Sequence, residues 1–104
     1  MKATGFKGAS NISFYELKKN GEPFDLSSAG VVRLEVVQAG KIISSENGSI
    51  TFDKEFINIK WGDFNLPSGS HKPKIYAYKS GDTKGEVLFG HEIDLKMIAD
   101  ERPQ

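Results

Sequence analysis

Apolar residues recur at every second position in several short stretches of this chain. The clearest stretch is Val31–Gln38, where Val32, Leu34 and Val36 fall on one side and Arg33 and Glu35 on the other. A period of two marks a strand with one face in a core and one in water. Its β-branched residues fit a pleated surface better than a helix. Two other stretches alternate as cleanly. Ile57, Ile59 and Trp61 oppose Asn58 and Lys60, and Ile93, Leu95 and Met97 oppose Glu92, Asp94 and Lys96. Residues 11–19 place Ile12 and Phe14 on one face and Tyr15 and Leu17 on the other. Residues 72–80 place Pro73, Ile75 and Ala77 opposite Lys74, Tyr76 and Tyr78. Ile50 and Phe52 share a face, and residues 41–45 read as the return arm of a hairpin. No segment has a helical period of useful length.

Turn chemistry separates these stretches. Asn20-Gly21, Ala39-Gly40, Asn47-Gly48 and the loop 81–85 are turn signals, Asn-Gly because both residues tolerate positive φ. Lys54 breaks the run between Phe52 and Ile57, and Gly90 marks a bend or bulge. Pro23 has no N–H for a ladder, so Pro23-Phe24-Asp25-Leu26 reads as an edge piece or connector, with Phe24 and Leu26 plugging the core. Residues 62–69 carry turn residues at both ends and fit one helical turn or a crossover between sheets. Pro67 excludes a longer helix there. The pattern predicts an all-β fold, an immunoglobulin-like antiparallel β-sandwich of about seven or eight short strands. A small closed barrel is the second choice. The expected organisation is a flexible N-terminal arm, or an irregular first strand, over 1–10, one sandwich domain over 11–98 and a C-terminal tail over 99–104.

Composition narrows the function. A chain of 104 residues is one domain with a modest core. Lys plus Arg equals Asp plus Glu, 14 each, so a basic excess for gripping nucleic acid is lacking and no nucleic-acid partner is expected. No apolar run approaches the ~20 residues of a membrane-spanning helix, and no membrane partner is expected. The first ten residues lack the apolar centre of a signal peptide. The absence of cysteine removes disulfide and thiolate chemistry and fits a protein made in the cytoplasm.

Catalytic constellations are not evident, and the expectation is a non-enzyme without cofactor or metal. His71 and His91 stand in no metal-ligand spacing. His71 reads as a packing and hydrogen-bonding residue at a sandwich corner. The pairs Glu22 with Asp25 and Glu92 with Asp94 do not make a glycosidase dyad, which needs two carboxylates across a cleft that so small a sandwich has little room for, and Glu92 and Asp94 read as a solvated sheet surface. The serines lack a nucleophile-elbow context, and the loop at Asp82 lacks the spacing and closing glutamate of a calcium loop.

The aromatic residues offer more. If Ile75 and Ala77 point inward, Tyr76 and Tyr78 lie two residues apart on the exposed face beside Lys74. Tyrosine gives large contact area at low entropic cost, so Tyr76, Tyr78 and Lys74 form the candidate interaction surface. In the reverse arrangement the tyrosines pack in the core. Trp61 shares a face with Ile57 and Ile59 and reads as a core tryptophan. Open sheet edges near Pro23 and Ile42 are further candidates for contact.

The run from Pro23 through Val36 (Pro-Phe-Asp-Leu-Ser-Ser-Ala-Gly-Val-Val-Arg-Leu-Glu-Val) resembles the opening of the immunoglobulin-like N-terminal domain of phage baseplate upper proteins. A proline-apolar-Asp-Leu-Ser/Thr connector leads there into an alternating strand. The hairpin that follows, then residues 47–52 (Asn-Gly-Ser-Ile-Thr-Phe), then Leu66-Pro67-Ser68-Gly69 before another strand, extend the resemblance over residues 12–97. The family typically has an aromatic residue where His71 stands here, and a single strand where this chain breaks at Lys54. The resemblance implies a non-enzymatic structural or adaptor module of a phage or prophage tail or baseplate. Its expected partners are other virion or tail proteins, in a homo-oligomer or hetero-complex, and its expected place is the virion after synthesis in the host cytoplasm. The competing expectation is a small carbohydrate-binding sandwich that stacks sugars on Tyr76, Tyr78 or Trp61.

Overall fold

A computed structural model describes residues 2–88 and 93–100. Among these residues there are twelve short strands and one 3-10 turn, in the order β1 (Lys2–Phe6), β2 (Ser13–Glu16), β3 (Lys18–Lys19), β4 (Glu22–Pro23), β5 (Val31–Gln38), β6 (Lys41–Ser44), β7 (Ile50–Asp53), β8 (Phe56–Ile59), the 3-10 turn Trp61–Asp63, β9 (Gly69–His71), β10 (Lys74–Lys79), β11 (Glu86–Leu88) and β12 (Asp94–Ile98). They form a four-stranded sheet in the order β11-β10-β5-β6, two three-stranded sheets, β2-β8-β7 and β1-β12-β9, and the small ribbon β3-β4. The all-β expectation holds. The strands are shorter and more numerous than the seven or eight expected.

One hydrophobic cluster joins the three larger sheets. Leu34, Val36, Ile43, Ile75 and Ala77 enter it from the four-stranded sheet, Ile50, Ile57 and Ile59 from the second, and Leu95 and Met97 from the third. Leu26 is fully buried and Phe24 packs against the cluster, as expected of the connector. The break at Lys54 is the turn of the β7–β8 hairpin. Two of the predicted turns join hairpins tightly. Asn20 and Gly21 both take positive φ between β3 and β4, as do Ala39 and Gly40 between β5 and β6. That backbone twist matches the right-handed twist of the flanking strands.

Three expectations need correction. Residues 2–6 are not a loose arm: β1 pairs with β12 from Lys2↔Asp94 to Phe6↔Ile98. This pairing is parallel, so the fold is not wholly antiparallel. Its inward side chain is Ala3, followed by Gly5, residues too small to produce a visible hydrophobic alternation. Gly5 is needed there, because a Cβ would sit 2.9 Å from that of Trp61. The third correction concerns Val32, which is 62% exposed while Val31 is buried. Tyr78 pairs with Arg33 but Lys79 pairs with Val31, leaving Val32 as the extra residue of a bulge. A bulge shifts the alternation by one residue and turns Val32 outward. The bend expected at Gly90 and the side chains of His91 and Glu92 lie outside the described residues, as does most of the expected tail.

Candidate functional site

The outer face of the four-stranded sheet gathers the three residues singled out in the sequence. Lys74, Tyr76 and Tyr78 alternate along β10 with the buried Ile75 and Ala77 and so point away from the core. Pairing brings other elements to the same face. Tyr76 sits between Val87 of β11 and Glu35 of β5, Lys74 lies opposite Val37, and Val37 lies opposite Ile42 of β6. The result is an oblique apolar stripe of Val87, Tyr76, Val37 and Ile42. Val87 is 40% exposed and Ile42 55% exposed, and the half-buried Tyr76 and Val37 connect them. Val32, the unpaired residue of the bulge, is exposed as well.

Tyr78 does not belong to the exposed part, although it shares the face. Only 9% of it is accessible. The Arg33 guanidinium lies 3.9 Å over its ring centroid. Its hydroxyl donates a 2.6 Å hydrogen bond to Oε1 of Glu35. The loop after β10 folds against the ring. Asp82 Oδ1 accepts from the backbone N–H groups of Lys84 (3.0 Å) and Gly85 (3.1 Å). Gly85 then lies so close that a Cβ would stand 2.8 Å from the ring carbons. Arg33 also donates from Nη1 to Glu46 Oε1 at 3.1 Å. The chain Glu46–Arg33–Tyr78–Glu35 is therefore a fixed polar rim beside the apolar stripe. Glu46, the main cause, together with the nearby Glu35, holds the Arg33 guanidinium above its ordinary pKa.

The hydrogen bond to Glu35, with burial second, raises the Tyr78 phenol above its ordinary pKa of 10.0. The neutral phenol is the favoured form in the folded chain. Its contribution to stability is therefore present below pH 10 and lost as the pH rises through the raised value. Tyr78→Phe keeps the ring under Arg33 and removes only the bond, at an expected cost of about 1–2 kcal/mol at pH 7. The difference between the two proteins should shrink at strongly alkaline pH. Urea unfolding at both pH values checks this. An equal difference at both would contradict the assignment.

Trp61 is 1% exposed. It lies parallel to Phe64, with ring centroids 6.3 Å apart and planes at 3°, and its Nε1–H donates to the Tyr15 hydroxyl at 3.0 Å. It is a core residue, as expected. His71 is half-buried, and its Nε2 lies 2.7 Å from the Pro67 carbonyl. It borders an open groove of about 580 Å³ with Gln38, Ser70, Lys72 and Lys96, where Lys72 pairs with Asp94 at 3.2 Å. Among the described residues no three His, Cys, Asp or Glu side chains gather as metal ligands would.

One further aromatic pair, with one exposed ring, was not predicted from the sequence. Phe14 of β2 stacks on Phe56 of β8 at 5.3 Å on the outer face of their sheet. Phe14 is 62% exposed. Phe56 stands between Glu16 and Asp53 in register. The signal in the sequence was the partly apolar character of both faces of residues 11–19. No family model, curated protein or solved structure matches this chain.

Proposed function

We propose that this chain is a non-enzymatic structural or adaptor module that works by protein–protein assembly, of the kind found in a phage or prophage tail or baseplate. The observation that carries the reading is the apolar stripe of Val87, Tyr76, Val37 and Ile42 on the outer face of the four-stranded sheet. A contiguous apolar patch rimmed by polar groups marks an interaction surface, and a tyrosine at its centre fits the make-up of binding hot spots. The particle setting rests on the resemblance of residues 23–36 to the baseplate family. In this chain that run is a connector with Leu26 in the core, leading into β5 at the middle of its sheet. We read the sandwich as immunoglobulin-like. The shared core of its sheets and the pairing of β10 with the non-sequential β5 support this.

The carbohydrate reading loses two of its three platforms, because Trp61 and Tyr78 are covered. The assembly reading predicts that the chain co-purifies in fixed ratio with a protein encoded beside its gene. Tyr76→Asp should weaken that complex by about tenfold or more, as expected for a central contact residue. Failure to bind any of those proteins or itself would contradict the reading.

A further inference from the structure

An interface between two identical copies related by a two-fold axis must be complementary to itself. The outer face of the four-stranded sheet meets that condition. Tyr76 and Glu35 are register partners, as are Lys74 and Val37. These four outward residues form a rectangle on β10 and β5, with Tyr76 and Val37 on one diagonal and Lys74 and Glu35 on the other.

We propose that this face packs on the same face of a second copy of the chain, about a two-fold axis running obliquely across the sheet through Tyr76 and Val37. The inference rests on the assembly reading and identifies its partner. About that axis Tyr76 meets Tyr76 of the second copy, and Val37 meets Val37. The other diagonal is exchanged, so each Lys74 comes beside Glu35 of the second copy. With strands ~4.8 Å apart and alternate residues ~6.7 Å apart, the exchange leaves Lys74 displaced by about 3 Å, well within the reach of its side chain. The strands of the two sheets cross at roughly 70°, near the orthogonal class of sheet packing. Val87 falls toward Tyr78 of the second copy and covers it further.

Charge agrees with this arrangement. Lys74 and Arg33 balance Glu35 and Glu46, so the face does not repel its copy. Arg33 already pairs with Glu46, and Tyr78 joins Arg33 to Glu35. Lys74 has no ion-pair partner among the described residues. The other exposed aromatic face differs. Glu16 and Asp53 flank Phe56 there and are both exposed, so pairing that face with itself would bring carboxylates together.

The chain has no cysteine, which makes single-cysteine variants unambiguous. Under mild oxidation Tyr76→Cys and Val37→Cys, both on the axis, should form disulfide-linked dimers. Their yield should be about tenfold above that of Thr51→Cys on the Phe56 face, since a disulfide needs close approach of the two Cα atoms. Adding Lys74→Glu to Val37→Cys sets a carboxylate against Glu35 and should lower the yield by about tenfold. Equal cross-linking of all three single variants, or indifference to Lys74→Glu, would overturn the two-fold. If the face fails to cross-link to itself but still binds a neighbouring particle protein, only the two-fold falls. If both fail, the assembly reading falls with it.

Discussion

Trp61→Ala is expected to destabilise the fold by about 3–5 kcal/mol. The indole is fully enclosed at the junction of β8, β1 and the Phe64 ring. Removing it leaves a cavity that close-packed neighbours can only partly fill. It also strips the Tyr15 hydroxyl of its indole donor. Typical domain stability is only ~5–15 kcal/mol, so the loss is a large share of the whole. Chemical denaturation followed by circular dichroism measures it. Tyr15→Phe isolates the polar component and should cost about 1–3 kcal/mol, because the indole N–H is then buried without an acceptor. A Trp61→Ala protein within about 1 kcal/mol of the original would mean that the side chain is not a core anchor.

Gly62→Ala is the second large effect, expected at about 3 kcal/mol. A Cβ at position 62 would collide with the backbone carbonyl oxygen of Ala9 and stand 2.6 Å from that of Phe6. Both obstacles are main chain, so no side-chain rotation relieves them. The same glycine accepts a hydrogen bond from Gly8 N–H at 3.2 Å. The substitution therefore pushes residues 6–9 off their seat and weakens the parallel pairing of β1 with β12. Urea unfolding should show the loss, and proteolysis should cut the N-terminal segment first. Unchanged stability with a protected N-terminus would show that this segment does not rest on Gly62.

Much of the fold was legible because alternation and burial coincide where pairing is regular. Ile57 and Ile59, Ile75 and Ala77, and Leu95 and Met97 enter the core as their spacing predicts. Two failures have local physical causes. Strand β1 turns inward only Ala3 and Gly5, which carry no hydrophobic signal, and its partner β12 lies at the other end of the chain. Val32 was misplaced because the bulge arises from its pairing with β10, a feature that no residue in 31–38 encodes alone.

The candidate surface was legible in part. Lys74, Tyr76 and Tyr78 do share the outward face of β10. The enclosure of Tyr78 was not foreseeable, since it depends on Arg33 across the sheet and on a loop that Asp82 folds back through two backbone hydrogen bonds. The apolar stripe was hidden for the same reason. Val37, Ile42 and Val87 come from three strands, and only the register sets them beside Tyr76.

Light scattering of the unmodified chain across a concentration series tests self-association first. Pairing through the Tyr76–Val37 face predicts a mass that rises from 11.5 kDa toward twice that value as concentration increases. A mass of 11.5 kDa at every concentration would contradict self-association through the Tyr76–Val37 face.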